Sequence, residues 1–410
     1  MSDYLIIGNS IAGIGCIEGI RSVDKTGTIT VISGENHAAY GRPLISYFLE
    51  GKTDLDHMNY RSPDFYENMG VDVIYGKKAE RLDPKKGEVL LDSGETIPFG
   101  KVCVSTGSSP FVPPFEGLDT VENKFSFMTL DDALAIDAVA DESKRVLIVG
   151  AGLIGLKCAE GLKNRVKEIT VCDLAERVLS SILDTECAAL MQKHLEENGI
   201  KFLLGDSAVS FDRDKAKMKS GKTVEFDILI LAVGVRPNTS LVADAGGEVN
   251  RGIIVDGRMA TTLKNVYAAG DCTEGEDISL GQKRVLAILP NAYMQGHASG
   301  VSMAGGEESF DNAIPMNSIG FFGFHAMTAG TYEGDLYEDK TVDSIKRLFT
   351  KDDLLKGFII IGKEERAGIY TSLIREKTPL SSLNFEILKQ SATTAAFSPD
   401  LRRKKFGGMV

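Results

Sequence analysis

Two stretches of the same kind constrain this chain more than anything else in it: Tyr4 to Gly13, YLIIGNSIAG, and Val146 to Gly155, VLIVGAGLIG. Each is a short apolar run that enters a glycine turn and continues as a helix. Such a turn leaves free backbone N–H groups at a helix N-terminus, where they face an anion such as a pyrophosphate. The second copy has the full spacing, with Gly150, Gly152 and Gly155. The first keeps Gly8 and Gly13 but carries Ser10 at the middle position. Serine limits the closest approach of a phosphate there while offering it a hydroxyl. Two such units in one chain predict two bound dinucleotides.

Each unit closes on a second strand followed by an acid. Thr28 to Ser33 leads through Gly34 to Glu35, completing a βαβ unit of roughly 30 residues. Glu35 is the candidate for the ribose hydroxyls, with Gly34 at that place in the alternative register. Glu168 to Cys172 leads to Asp173. A carboxylate there accepts hydrogen bonds from a ribose diol and repels a 2′-phosphate. No cation follows Asp173 directly. Arg177 is the nearest, expected either on a diphosphate or as a local cap. The second unit should therefore prefer NADH to NADPH.

The segments between and after the two units add further pieces. Arg42-Pro43 sets a cation just before a helix start, where it would neutralise a phosphate or flavin oxygen. The strand Lys101 to Ser105 breaks at Thr106-Gly107, beside the first glycine loop. Residues 127–140 and 184–198 read as helices, and Phe226 to Leu231 as a strand that exits through Val233 and Gly234. NVYAAGDC, residues 265–272, reads as a buried strand ending in Gly270-Asp271, which offers a carboxylate to a polyol such as a ribityl chain. Residues 285–304 read as a helix opening at Pro290-Asn291, whose partial positive charge would favour an anionic reduced flavin. Strands at Ile345 to Phe349 and Gly357 to Ile361, then a helix from about Arg366, make a third, α+β unit. Residues 386–410 read as a polar end carrying Arg402-Arg403-Lys404-Lys405, either flexible and solvated or a docking patch for an acidic carrier.

Composition removes several classes. A net charge of -12 argues against nucleic acid as a partner. Six cysteines without a CxxC are expected as buried apolar filler, with Cys272 the first candidate for an exception, and they form no metal framework. The five histidines have no ligand spacing and are expected mainly at the surface or in loops. No apolar run reaches the ~18 residues of a membrane span, and the first residues lack a secretory pattern. The expected location is the cytoplasm.

In order, the motifs are GxSxxG, an acid, YxRPxxS (Tyr40 to Ser46), STG (Ser105 to Gly107), GAGLIG, an acid, AxGxxPN (Ala232 to Asn238) and AAGDC (Ala268 to Cys272). This series resembles the FAD- and NAD(P)H-binding pyridine-nucleotide oxidoreductases over residues 1 to about 315. The stretch Leu354 to Ile374, LLKGFIIIGKEERAGIYTSLI, looks like NADH:rubredoxin reductases and the flavin region of assimilatory nitrite reductase large subunits. The resemblance implies an α/β fold with two Rossmann-like domains, arranged as in glutathione reductase, plus a smaller C-terminal α+β domain. It implies an FAD domain from residues 1–112 and 244–315, an inserted NAD(H) domain over 113–243, and a C-terminal domain over 316–410 that closes over the flavin and supports a homodimer or partner docking.

Motifs and resemblance together give the expected contacts. FAD would meet Gly8, Ser10, Ile11, Ala12, Gly13, Glu35, Arg42, Pro43, Ala79, Thr106, Gly107, Gly270, Asp271, Asn291 and Ala292. NAD(H) would meet Gly150, Gly152, Leu153, Ile154, Gly155, Asp173, Arg177, Val233 and Gly234. Three departures from the family pattern stand out. No cysteine lies in residues 36–46, so thiol–disulfide chemistry at the flavin is not expected. Lys157 stands where the family usually has glutamate, and Tyr47 where some ferredoxin reductases have lysine. The expected activity is hydride transfer from NADH to flavin N5, then two one-electron steps to a small iron protein such as rubredoxin or ferredoxin, with no side chain acting as acid or base. The alternatives are a flavin subunit of a larger reductase with a metal-containing partner chain, an NADH oxidase or small-acceptor reductase, and a redox-sensing binding protein.

Overall fold

A computed structural model describes residues 2–363 and 365–406. Apolar runs too short for buried helices form the strands of its first sheet. Ser2–Ile7, Ile29–Ile32 and Val71–Ile74 run parallel in that spatial order. Thr96–Val104 flanks Ser2–Ile7 on the other side, and Val266–Ala268 lies beyond it, both parallel. The first residues of Thr96–Val104 pair antiparallel with Glu88–Leu91, which pairs with Ala79–Asp83. The register sets Ile7 opposite both Ile32 and Val104, and Ala268 opposite Val104. Gly8, Ser33, Ser105 and Ala269 therefore emerge at one edge. In an open parallel sheet, that carboxyl edge is where ligands bind.

The second sheet is parallel throughout. Its order is Ile200–Leu204, Glu168–Asp173, Arg145–Val149, Ile228–Leu231 and Lys124–Phe125. Val149 faces both Cys172 and Leu231, so Gly150, Asp173 and Ala232 emerge together. A short antiparallel ribbon, Ser108–Pro110 against Val235–Pro237, runs between the two sheets. The helix expected over residues 127–140 is shorter, Leu130–Asp137, because a capping box starts it. The Thr129 hydroxyl accepts from the Asp132 N–H, and the Asp132 carboxylate accepts from the Thr129 N–H, both at 3.0 Å. The helix expected from residue 285 starts at Leu289, because Gln282–Arg284 pairs as a strand with Thr273–Asp277.

Two helices cross so closely that their backbones touch. A Cβ on Gly19 would lie 2.2 Å from the His297 carbonyl oxygen, and one on Gly296 would lie 2.0 Å from that of Ala12. The small residues of Ile11–Val23 and Leu289–Met303 thus hold the two N-termini in fixed relation. Both open at the carboxyl edge of the first sheet.

The third sheet is antiparallel, in the order Met316–Phe321, Phe324–Gly330, Leu354–Ile361, Ile345–Lys351 and Asp335–Lys340. Helix Gly368–Arg375 buries Tyr370 and Leu373 against it. Phe321, Ala326, Ile345, Ile359 and Ile361 share one interior with Ile148, Leu156, Ala159, Met191 and Leu195 of the second sheet and its helices. Lys346 is fully buried, pairs with Glu365 at 2.6 Å and donates to the Gln390 carbonyl at 3.0 Å. The polar end expected from residue 386 is corrected by this packing. Leu388, Ala392, Ala396 and Phe397 are buried, so the core continues to residue 397. The basic run falls in a helix, Pro399–Phe406, rather than a flexible coil. The side chains of Lys404 and Lys405 lie outside the described residues. Among the described residues no helix is long and apolar enough to cross a membrane, and no group of three or more His, Cys, Asp or Glu is placed to hold a metal ion.

Candidate functional site

At the first glycine loop the backbone requirement is strict. Gly8 has φ of +119°, and a Cβ there would lie 2.1 Å from the Ser105 carbonyl oxygen. No other residue fits between the loop and the STG strand end. Ser10 is the N-cap of Ile11–Val23, yet its hydroxyl makes no capping bond to its own helix. It lies 3.4 Å from Arg42 Nε instead. The neighbouring Asn9 amide nitrogen is buried without a partner. Free donors therefore gather where a pyrophosphate would sit.

Arg42 is the hub of this side. Its guanidinium binds Glu35 and donates to the Met128 carbonyl at 2.9 Å. Burial works against its charge, but Tyr40 and Glu35 beside it raise its pKa above the ordinary value. The Tyr40 hydroxyl donates to Glu35 Oε2 at 2.6 Å and accepts from the Leu130 N–H at 2.7 Å. Glu35, not Gly34, is thus the residue that this network holds past the second strand. Pro43 follows Arg42 as the N-cap of Leu44–Leu49. Ala79 opens the strand next to this corner, since the Lys77 N–H bonds the Ser33 carbonyl at 3.0 Å.

Asp271, one residue past the Gly270 turn, lies within electrostatic reach of Arg42. Burial pushes its carboxyl above the usual aspartate range, and the charge of Arg42 opposes that shift. The Gly270 turn is fixed by Gln295, whose amide oxygen accepts from the Gly270 N–H at 2.8 Å and from Thr273 Oγ1 at 3.2 Å. A Cβ on Gly270 would meet Ala12 at 3.1 Å and Ala292 at 3.7 Å, so both helix N-termini and the turn converge on one point. Asn291 is fully buried, and its amide nitrogen donates to the Ile314 carbonyl at 3.3 Å. Thr106 and Asn238 exchange two bonds, at 2.9 and 2.8 Å, which tie the STG turn to the end of the ribbon strand Val235–Pro237. Gly107 next to it has φ of +63° and open space on its Cβ side.

The second glycine loop repeats the first. A Cβ on Gly150 would lie 2.2 Å from the Ala232 carbonyl oxygen, while one on Gly152 would meet nothing within 4 Å. The loop is closed at its base and open at its mouth, with Leu153, Ile154 and Gly155 in the first helical turn. Asp173 accepts from the Ala151 N–H at 2.7 Å and from the Ala175 N–H at 2.8 Å. Arg177 donates to the carbonyls of Leu183 and Ser180, both at 3.3 Å, which is the local-cap alternative. Val233 and Gly234 follow the Ile228–Leu231 strand at the same edge.

Lys157 does not face solvent. Its ammonium pairs with the buried Glu160, lies 3.3 Å from the Gly320 carbonyl and sits 4.8 Å from the centre of the Tyr47 ring. Glu160 also accepts from the Phe322 N–H at 2.6 Å. The lysine that departs from the family pattern and the tyrosine that departs from it are thus neighbours. Cys272, the first candidate for an exception among the cysteines, is buried like the other five. Its thiol is fully buried, donates to the carbonyls of Val104 and Ala269, and is pushed up to about 12 by burial, so it is no thiolate at neutral pH. His194 and His297 stand half-buried on helices, paired with the Phe321 carbonyl at 3.1 Å and Glu308 at 2.9 Å.

Gln295, Thr273 and Glu160 were missed from the sequence, and Tyr40 entered only as a motif residue without a role. Gln295 had a signal: it stands four residues after Asn291, on the same helix face. The residues present fit FAD at the first loop and a nicotinamide dinucleotide at the second. Two cradles exclude any Cβ at their base, and one leaves unpartnered donors at its mouth.

A family model described as pyridine nucleotide-disulphide oxidoreductase matches residues 2–296. The chain is 32% identical over 395 residues to the NADH-dependent phenylglyoxylate dehydrogenase subunit epsilon of Aromatoleum evansii, covering 93% of each. It is 30% identical over 387 residues to the assimilatory nitrate reductase electron transfer subunit of Bacillus subtilis (strain 168), covering 91% of this chain but only 49% of that protein. Among solved structures, the covalent putidaredoxin reductase–putidaredoxin complex superposes with a TM-score of 0.86 at 20% identity, over 96% of this chain and 99% of that one. The chain therefore belongs to the pyridine nucleotide-disulphide oxidoreductase family, as an oxidoreductase that uses FAD and NAD(H).

Proposed function

We propose that this chain takes hydride from NADH onto FAD and releases the electrons one at a time to an iron-containing protein partner, without a redox-active disulfide. The observation that supports it is that Arg42 pairs with Glu35 and acts on the buried Asp271 beside the first glycine loop, while all six cysteines, Cys272 next to Asp271 included, are buried free thiols. Bound FAD supplies the two-electron to one-electron conversion; the protein supplies position and charge. Ser10 and the N–H groups after it would hold the FAD pyrophosphate, with Arg42 neutralising it. Glu35 would take the adenosine ribose and Asp271 the ribityl hydroxyls. Gly150 to Gly155 would hold the NADH pyrophosphate, and Asp173 its ribose diol. In this reading residues 1–112 and 244–315 form the FAD domain and residues 113–243 the NAD(H) domain.

Two partners suit this chemistry. A free small carrier such as rubredoxin or ferredoxin is one. A metal-containing subunit of a larger reductase is the other, and the end-to-end similarity to a protein named as a dehydrogenase subunit favours it. The test is an anaerobic absorbance titration with NADH and, separately, NADPH, followed by oxidised rubredoxin. Bleaching by NADH and recovery on rubredoxin support the free-carrier reading. Bleaching without recovery moves the weight to a bound subunit. A chain that takes up no flavin from added FAD refutes the assignment of the first site.

A further inference from the structure

Arg375 is a cation in an unusual place. It is the last residue of helix Gly368–Arg375, where the helix's own carbonyls favour positive charge. Its side chain, however, reaches across to a different helix. Its terminal nitrogen lies 3.4 Å from the amide oxygen of Asn291, in the first turn of Leu289–Met303. That turn carries free N–H groups and partial positive charge, so a cation beside it is repelled. Its Nε is buried with no hydrogen-bond partner. Among the described residues no carboxylate lies within 4.0 Å of it, although Arg42, Arg61, Arg145 and Arg347 all have one. Burial lowers its pKa. Two positive features converge on a half-buried corner where, among the described residues, no carboxylate pairs with Arg375.

We infer that Arg375 provides the counter-charge for the reduced flavin, acting on its pyrimidine edge together with the N-terminus of the Leu289 helix. The inference rests on the proposed FAD site. Hydride transfer moves one proton and two electrons, so NADH leaves as the NAD cation and the neutral oxidised ring gains one negative charge. That charge spreads over the ring's pyrimidine half, and an unpaired guanidinium there is worth more to the reduced ring than to the oxidised one. The residue comes from the C-terminal part of the chain, beyond the 2–296 matched by the family model. The third sheet would then tune the flavin as well as cover it.

The test compares R375Q, which keeps size and removes charge, with R375K, which keeps charge. Each is reconstituted with FAD, and three quantities are read: FAD occupancy, the dissociation constant for sulfite, and the midpoint potential by dye equilibration. Sulfite adds to the oxidised ring and leaves negative charge on the same pyrimidine half, so it reports the counter-charge without NADH. R375Q should bind sulfite about tenfold more weakly and favour the reduced ring about tenfold less, which is roughly 30 mV for a two-electron couple. R375K should stay near wild type. R375Q holding FAD with unchanged sulfite affinity and potential overturns the inference. If R375Q does not hold FAD, the apo melting temperatures decide. An apo R375Q that melts no lower than wild type supports a cation kept for its ligand, and one that melts lower makes Arg375 a clamp between two helices and overturns the inference. A wild-type chain without flavin affinity removes the FAD site itself, a separate outcome.

Discussion

Asp173→Ala separates two roles that one carboxylate holds. In the structure it accepts the Ala151 N–H at 2.7 Å and the Ala175 N–H at 2.8 Å, bracing the second glycine loop. In the proposed complex its remaining lone pairs take the ribose diol of NADH. Hydrogen bonds to a charged acceptor contribute about 1.5–3 kcal/mol each, and a half-exposed carboxylate belongs at the low end. Loss of the brace weakens both nicotinamide cofactors equally. Loss of the diol bond weakens NADH alone by about 1.5 kcal/mol, or roughly tenfold in kcat/KM. NADPH also gains relief from repulsion between the carboxylate and its 2′-phosphate. The ratio of kcat/KM for NADH to that for NADPH should therefore fall by roughly tenfold or more. Steady-state kinetics with a dye acceptor measure both constants, and a thermal melt reports the shared brace. An equal fall for the two cofactors would refute the diol role and leave Asp173 as a brace only.

Other sites give sharper structural outcomes. Asp271→Asn should lower FAD retention, read as the flavin-to-protein absorbance ratio after gel filtration. The Asp271 carboxyl is raised in the fold, so its own contribution to apo stability is fullest below the ordinary aspartate value of about 3.9 and is lost as pH rises through the folded value. The apo melting advantage of Asp271→Asn should then grow with pH from that point, and a pH-independent difference would count against the burial argument. Gly19→Ala places a methyl 2.2 Å from the His297 carbonyl oxygen, so it should cost about 1–3 kcal/mol or more and loosen FAD binding by spreading the two helices. A variant with wild-type melting and flavin content would show that the crossing is not as tight as described. Lys346→Met leaves Glu365 without its buried partner and should cost about 3–5 kcal/mol in a denaturant titration while leaving the flavin spectrum intact.

What could be read from the sequence was local in the chain. Gly8, Glu35 and Asp271 follow strand ends of the first sheet, while Gly150 follows and Asp173 closes strands of the second, and the parallel register brings each sheet's strand ends to its own carboxyl edge. Order along the chain therefore carried order in space. The bonds of Tyr40 to Leu130 and of Glu160 to Phe322 were not legible, because those partners lie far away in sequence. Thr273–Asp277, TEGED, has no apolar alternation, and only its pairing with Gln282–Arg284 and Ile253–Ile254 makes it a strand. The end beyond residue 386 read as polar because its few apolar residues are spread out. Leu388 and Phe397 are nonetheless buried, since separate short turns each send one side chain inward.

The interior shared by Met191, Leu195, Phe321 and Ile345 sets how this molecule comes apart. A segment whose apolar side chains line another segment's core opens with it, not before it. The third sheet and the helices of the second should therefore exchange their slowest amide hydrogens at a common rate, as one cooperative unit. Cutting the chain ahead of Met316 would uncover Met191 and Leu195 rather than release a self-contained module. Any attempt to transplant the C-terminal piece between relatives has to carry the facing surface of Thr185–Glu197 along with it.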